Sequence, residues 1–191
     1  MRSITLFTAA IGLLLGGVSL ASAADVYEYD GVHSSVSFKA RHLGLSWIHG
    51  RFNEVGGTFS LDRSDPTKST FSLSIKVASV DTANKLRDEH LLQNDYFDAK
   101  QYPTIDFKST SVKPVEGGYE VTGDFTMHGT TKPITFVLKG GQELIDKKGV
   151  KRVGFSTETV VKRSDFGFDP KAIGPIGDEA IILIDCEGTG K

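Results

Sequence analysis

The sequence predicts an all-β fold of antiparallel strands, either a sandwich or an up-and-down barrel. Three observations carry this. Apolar and polar residues alternate with period two in run after run. Clusters of Gly, Asp, Asn and Pro separate the runs. Helical spacing appears in only one segment after residue 23.

The chain opens Met1-Arg2-Ser3, continues apolar from Ile4 to Leu20 and reaches Ala21-Ser22-Ala23. A basic start, a short apolar middle and an A-x-A exit predict a secretory signal peptide over residues 1–23, leaving one domain over residues 24–191. This leader carries one Arg and no acid, so the remainder is one unit more negative than the −2 of the whole chain. That net charge offers nothing to nucleic acid or to an anionic membrane. Cys186 is the sole cysteine, which excludes an internal disulfide.

In chain order, the alternating runs are Val36-x-Phe38-x-Ala40, Phe71-x-Leu73-x-Ile75-x-Val77 and Ile105-x-Phe107. Tyr119-x-Val121-x-Gly123-x-Phe125-x-Met127 and Ile134-x-Phe136-x-Leu138 follow. Val153-x-Phe155 then leads into Thr157-x-Thr159-x-Val161. Each presents one apolar face, because successive strand side chains point to opposite sides. Ile181 to Ile184 are apolar on both parities. The expected turns are Gly56-Gly57, Asp62 to Pro66, Glu116 to Gly118, His128 to Thr130, Gly140-Gly141 and Lys147 to Gly149. From Asn84 to Asp98 the spacing of Leu86 and His90, then Leu91 and Leu92 with Tyr96, predicts a helix capped by Asn84 and ended before Tyr102-Pro103. Such a helix is either a lid at a barrel mouth or a surface connection shielding a sheet edge.

Phenylalanine is frequent: 12 Phe against 5 Tyr and 1 Trp. Phe carries no polar handle, so it serves either a packed core or an apolar cavity wall. Ala40, Gly50, Gly57 and Gly123 lie among the aromatics and are expected to leave room for a ligand.

Several segments together resemble the YceI family of bacterial periplasmic proteins. They are His33-Ser34-Ser35-Val36-x-Phe38 with His42-Leu43-Gly44 and Ser46-Trp47-x-x-Gly50-x-Phe52; Ser79-Val80-Asp81-Thr82 with Arg87-Asp88-x-His90-Leu91; and Asp95-Tyr96-Phe97-Asp98 with Tyr102-Pro103-x-Ile105-x-Phe107. Gly123-Asp124-x-Thr126-x-His128-Gly129-x-Thr131-Lys132-Pro133-Ile134 and Arg163-x-Asp165-Phe166 complete the set. The resemblance implies an eight-stranded antiparallel lipocalin-like β-barrel with a short helix at its opening. It implies a periplasmic protein that sequesters or carries an isoprenoid-type lipid, an isoprenoid quinone or a polyprenyl phosphate, in stress or electron-transfer settings. No cofactor beyond that ligand is implied. Transient membrane contact and a homodimer fit the same picture, and a nucleic-acid partner does not.

On this reading the ligand-binding residues are Val36, Phe38, Ala40, His42, Leu43, Trp47, Phe52, Phe59, Phe71, Leu73, Ile75, Ile105, Phe107, Phe125, Met127 and Phe136. Leu91, Leu92 and Phe97 join them from the helical segment, and His42, Arg87, His90 and Asp95 supply polarity. Arg87 either meets a phosphate or quinone carbonyl or pairs with Asp88, Glu89 or Asp95. The competing reading is a barrel enzyme acting on an apolar substrate, with titratable groups such as His42 and His90 converging on the pocket floor. Against it, the five histidines show no metal-ligand spacing, a G-x-S-x-G motif is lacking, and Cys186 reads as a small buried hydrophobe. No catalytic or metal-ligating residue is expected.

Overall fold

The computed structural model describes residues 24–169, 171 and 174–190. The expected leader, residues 1–23, lies outside the described residues. The strands are β1 (Asp25–Tyr29), β2 (Ser35–His42), β3 (Ser46–Phe52), β4 (Val55–Leu61), β5 (Thr70–Lys76) and β6 (Val80–Asp81). The helix α1 (Lys85–Leu91) follows, then β7 (Thr104–Val115), β8 (Gly118–Met127), β9 (Thr130–Ile145), β10 (Lys151–Lys162) and β11 (Ile176–Gly190).

Eight of these strands close into an antiparallel barrel in the order β1-β4-β5-β7-β8-β9-β10-β11, with β11 pairing back to β1. The long β11 has two partners along one edge. Gly188–Gly190 hold β1, whereas the stretch from Ile176 to Asp185 holds β2. Because β2 pairs with β3 and β1 with β4, β1 and β2 act as two legs of one bent strand, and so do β3 and β4. The bends divide the barrel into two halves with separate cores. One core gathers Tyr27, Phe59, Leu61, Phe71, Val121, Val153 and Phe155; the other gathers Val36, Phe52, Ile75, Ile105, Phe125, Met127, Val161 and Phe166.

Two expected turns are strand instead. Gly56-Gly57 lies inside β4, paired with Ser74 and Leu73 of β5. The break between β3 and β4 falls earlier, at Asn53-Glu54. Gly140-Gly141 continues β9 as a bulge: the register against β10 slips between Val153 and Phe155, and both glycines have positive φ (109° and 88°). A Cβ on Gly141 would press on the rings of Tyr119 and Phe155. Paired glycine marks special backbone in either case, and only the partner strand decides between turn and bulge.

The helix starts where expected, the Asn84 side chain accepting the Arg87 N–H at 3.1 Å. It stops at Leu91, well short of the proline. The carbonyls of its last turns are taken by residues farther on, Phe97 N–H donating to Leu91 O and Ala99 N–H to Leu92 O. This irregular winding turns Leu91, Leu92, Tyr96 and Phe97 onto the second core.

Outside the first half, the Arg152 guanidinium reaches Asp30 at 2.9 Å, Asp146 at 3.0 Å and Glu187 at 3.3 Å. His33 adds a contact to Asp30 at 2.8 Å. The hydrogen bond from His33, joined by that from Arg152, holds the Asp30 carboxyl down at about 2. This network ties the β1–β2 bend to β10 and β11.

Candidate functional site: an apolar cavity in one half of the barrel

The two halves use their inward-facing side chains differently. In the first half the rings of Phe59, Phe71, Tyr119 and Phe155 stack with centroids 5.5–6.1 Å apart and fill the interior. Tyr27 is fully buried beneath them and donates to Glu143. Burial, then that carboxylate, push its phenol up to about 12. Cys186 shares this core, and burial pushes its thiol up to about 12, so it is an inert apolar group.

Above this plug the second half encloses a cavity of about 190 Å³. Nearly every strand contributes: Val36, Phe38 and Ala40 from β2, Ile48 and Phe52 from β3, and Leu73 and Ile75 from β5. Ile105 and Phe107 follow from β7, Phe125 and Met127 from β8, and Ile134 and Phe136 from β9. Thr157, Thr159 and Val161 come from β10, and Ala180, Ile182 and Ile184 from β11. Thr157 sits next to the plug, two residues from Phe155. Its Oγ1 is buried and has no hydrogen-bond partner among the described residues.

Polar side chains cluster at the opposite, solvent-facing end, around α1 and the start of β11. Arg87 donates from Nε to Thr82 Oγ1 and from Nη2 to Thr82 O, each at 2.7 Å. Asp88 accepts from the Thr82 N–H and hydroxyl. Arg87 is therefore held by Thr82, not by Asp88, Glu89 or Asp95. His90 pairs with Asp95 at 3.0 Å, both about half exposed. Arg163 donates to Ile176 O at 2.9 Å and to Gly177 O at 2.7 and 3.1 Å. Its guanidinium makes no salt bridge among the described residues, and burial draws it below the ordinary arginine range. Arg87 and Arg163 thus bring two cations to the mouth with no carboxylate in salt-bridge contact among the described residues, although Asp178 acts on Arg163 from farther away.

Of the residues expected to bind ligand, the structure places Val36, Phe38, Ala40, Phe52, Leu73, Ile75, Arg87, His90, Leu91, Phe97, Ile105, Phe107, Phe125, Met127 and Phe136 on the cavity wall. The structure places the remainder elsewhere. Phe59 and Phe71 face inward but belong to the plug, at the wrong height along the barrel. Leu92 packs behind the wall. His42 ends β2 at the rim, and Asp95 stands outside as the partner of His90. Leu43 lies in the β2–β3 turn, 62% exposed. Trp47 has the outward parity of β3, with the Arg41 guanidinium 4.2 Å from its ring centroid; its neighbour Ile48 faces the cavity.

The glycines expected to leave room also behave differently. A Cβ on Gly50 would collide with the Phe38 ring, one on Gly123 with Phe107, and one on Gly57 with the Ser72 carbonyl. Gly50 and Gly123 seat aromatic rings flat against the wall, and only Ala40 of the four small residues touches the cavity. Thr157, Thr159, Val161, Ala180, Ile182 and Ile184 were missed. The alternation of β10 contained the signal for its three, but Ile181 to Ile184 are apolar on both faces and show no parity. Ile48, Tyr96, Ile134, Arg163, Phe168 and Ile176 were missed as well.

A closed antiparallel barrel, plugged at one end and hollow and apolar at the other, defines an internal-cavity protein of the up-and-down barrel class. The YceI-like domain profile matches residues 27–188. The chain belongs to the YceI family. It is 39% identical over 187 residues to a UPF0312 protein of Photorhabdus laumondii, covering 97% of this chain and 96% of that one. It is 38% identical over 178 residues to protein YceI of Escherichia coli, covering 92% of each. Among solved structures, the Campylobacter jejuni YceI protein superimposes with a TM-score of 0.70 at 30% identity, over 79% of this chain and 90% of that one. A polyisoprenoid-binding domain from Saccharophagus degradans shares the fold, with a TM-score of 0.65 at 14% identity over 86% and 98% of the two chains.

Proposed function

We propose that the chain binds an isoprenoid-type lipid in the barrel cavity and sequesters or carries it in the periplasm after removal of its leader. The observation that carries this is the wall itself: aliphatic and phenyl groups predominate, with Thr157 and Thr159 among them, and Arg87, His90 and Arg163 at the mouth. Each buried CH₂ contributes about 0.8 kcal/mol, so a prenyl tail binds tightly without specific polar contacts. The family membership and the polyisoprenoid-binding neighbour support the same ligand class. At about 190 Å³ the cavity is smaller than pockets for drug-sized ligands, about 300–1,000 Å³. A thin chain threaded along the axis suits it better than a bulky ring system, and a long one enters as far as the rings of Phe38, Phe97 and Phe168 give way.

The tail lies toward Thr157 and the head group at the mouth, where Arg87 and Arg163 favour a phosphate or a quinone carbonyl. The barrel catalyses nothing on this reading. The cavity floor is phenyl and aliphatic with one threonine hydroxyl; His42 ends β2 at the rim and His90 pairs with Asp95 at the mouth, so the two histidines stand away from that floor. Native mass spectrometry of the purified protein, before and after organic extraction, tests the proposal. An isoprenoid mass lost on extraction is expected; a protein that carries none and takes up none from added polyprenol overturns it.

A further inference from the structure

The turn joining β2 to β3 carries a residue that local stability does not favour. Leu43 and Gly44 both have positive φ (53° and 69°), and the Leu45 N–H donates to His42 O at 2.9 Å. That is a two-residue hairpin turn, where Asn-Gly is preferred and a leucine in the left-handed region is strained. The same Leu43 is 62% exposed and Leu45 is 78% exposed. Backbone and solvation would each favour a small polar residue here.

The tip stands at the cavity mouth, where the Leu43 N–H donates to Pro175 O at 2.7 Å. Ala40 and Ile48, a cross-strand pair, line the cavity, and the turn begins two residues beyond them. Trp47 lies just behind the tip on the outer face, with Arg41 4.2 Å and Lys39 5.6 Å from its ring. His49 and Arg51 continue that face. From Ser35 through Phe52 the chain holds Lys39, Arg41 and Arg51 and not one Asp or Glu, although the whole chain is net negative. The carboxylates facing this hairpin from neighbouring elements include Asp185, paired with Ser35 across the β2–β11 ladder, Asp178 and Glu179 in the bulge of β11, and Asp81 of β6, paired with Arg51. Net charge alone therefore misleads, because this one hairpin carries three cations and no acid in a chain that is net negative.

We propose that the β2–β3 hairpin is a membrane-docking finger: Leu43 and Leu45 enter the interfacial region of a bilayer, and Trp47, Lys39 and Arg41 rest at the level of anionic phospholipid headgroups. Apolar tip, interfacial aromatic and flanking cations are the chemistry of a surface-bound protein. Docking there sets the cavity mouth against the bilayer, so a prenyl chain passes between membrane and barrel without crossing water. This partner assignment rests on the lipid-binding reading above.

The chain's single tryptophan stands on the proposed surface, so its fluorescence reports contact directly. The purified protein, as the cell processes it, would be titrated with vesicles of phosphatidylcholine alone and of phosphatidylcholine with phosphatidylglycerol. Co-sedimentation and a blue shift of Trp47 emission are expected, stronger on the anionic vesicles. Leu43→Asn with Leu45→Ser should weaken vesicle affinity about tenfold or more. Asn suits the left-handed turn, so the variant should unfold no earlier than the parent. Lys39→Gln with Arg41→Gln should erase the preference for anionic vesicles. Comparing variants in one background cancels any contribution of residues 1–23. The proposal fails if the parent ignores both vesicles, or if the Leu43/Leu45 variant binds them equally well. It also fails if that substitution instead converts a dimer to a monomer without altering vesicle binding, since the tip would then cover a second copy. Isoprenoid recovered from a protein that ignores vesicles refutes docking and leaves the cavity reading standing; vesicle binding with no recoverable isoprenoid does the reverse.

Discussion

The two halves of the barrel share β5 and β7 to β11 and differ in what those strands enclose. Along β5, Phe71 points into the plug while Leu73 and Ile75, two and four residues on, point into the cavity. Along β10, Phe155 closes the floor and Thr157, Thr159 and Val161 line the space above it. In the plugged half the ring closes tightly through β1 and β4, and phenyl groups meet edge to face across the axis. In the hollow half β2, β3 and β6 take over the wall, and the segment around α1 packs against it. One end is thus filled by rings, and the other keeps an apolar space between its side chains.

Truncation is the hardest test of that division. Phe155→Ala in the plug should lower the unfolding free energy by about 3–5 kcal/mol. Phe38→Ala, on the cavity wall and packed only against the second core, should cost about 2 kcal/mol or less, because it enlarges a space that already exists. Urea denaturation of the two variants compares them, and equal losses would show that the halves do not differ. Filling is the complementary test. Val121→Phe, at a fully buried plug position, should destabilise by about 1–3 kcal/mol through overpacking. Ala180→Phe should be nearly neutral in stability and should abolish retention of added polyprenol.

The network outside the plugged half predicts an acid limb. The Asp30 carboxyl titrates at about 2 in the fold against 3.8 for the ordinary group. A depressed carboxylate contributes stability that is complete above about pH 4 and is lost as pH falls toward 2. Asp30→Asn should flatten that part of a stability-versus-pH curve while leaving lipid retention unchanged. The smallest effect belongs to the floor of the cavity. Thr157→Val removes a buried hydroxyl with no partner among the described residues, and should leave the lipid-free barrel unchanged or raise its stability by up to about 1 kcal/mol.

What the sequence revealed follows the same division. Strand parity was legible wherever polar and apolar residues alternate, so most residues named from β2, β5, β7, β8 and β9 do face inward. Height along the axis was not, because it depends on how each strand is staggered against its partners. Phe59 and Phe71 were therefore assigned to the cavity although they build the plug. The N-cap of α1 was local and readable; its early end depends on tertiary contacts of Tyr96 and Phe97. Trp47 and Leu43 are apolar and belong to the lining that the sequence predicts. Only the pairing of Arg41 with Trp47, and the turn conformation at Leu43, reveal that both face outward.

The most direct test of the account is a crystal structure of the protein purified from its own source with its natural ligand retained. Continuous chain-like density running from Thr157 past Phe38 and Phe97 to the mouth beside Arg87 and Arg163 is the predicted result. A cavity holding only ordered water, or a compact polar molecule seated at the mouth with nothing beneath it, would contradict it.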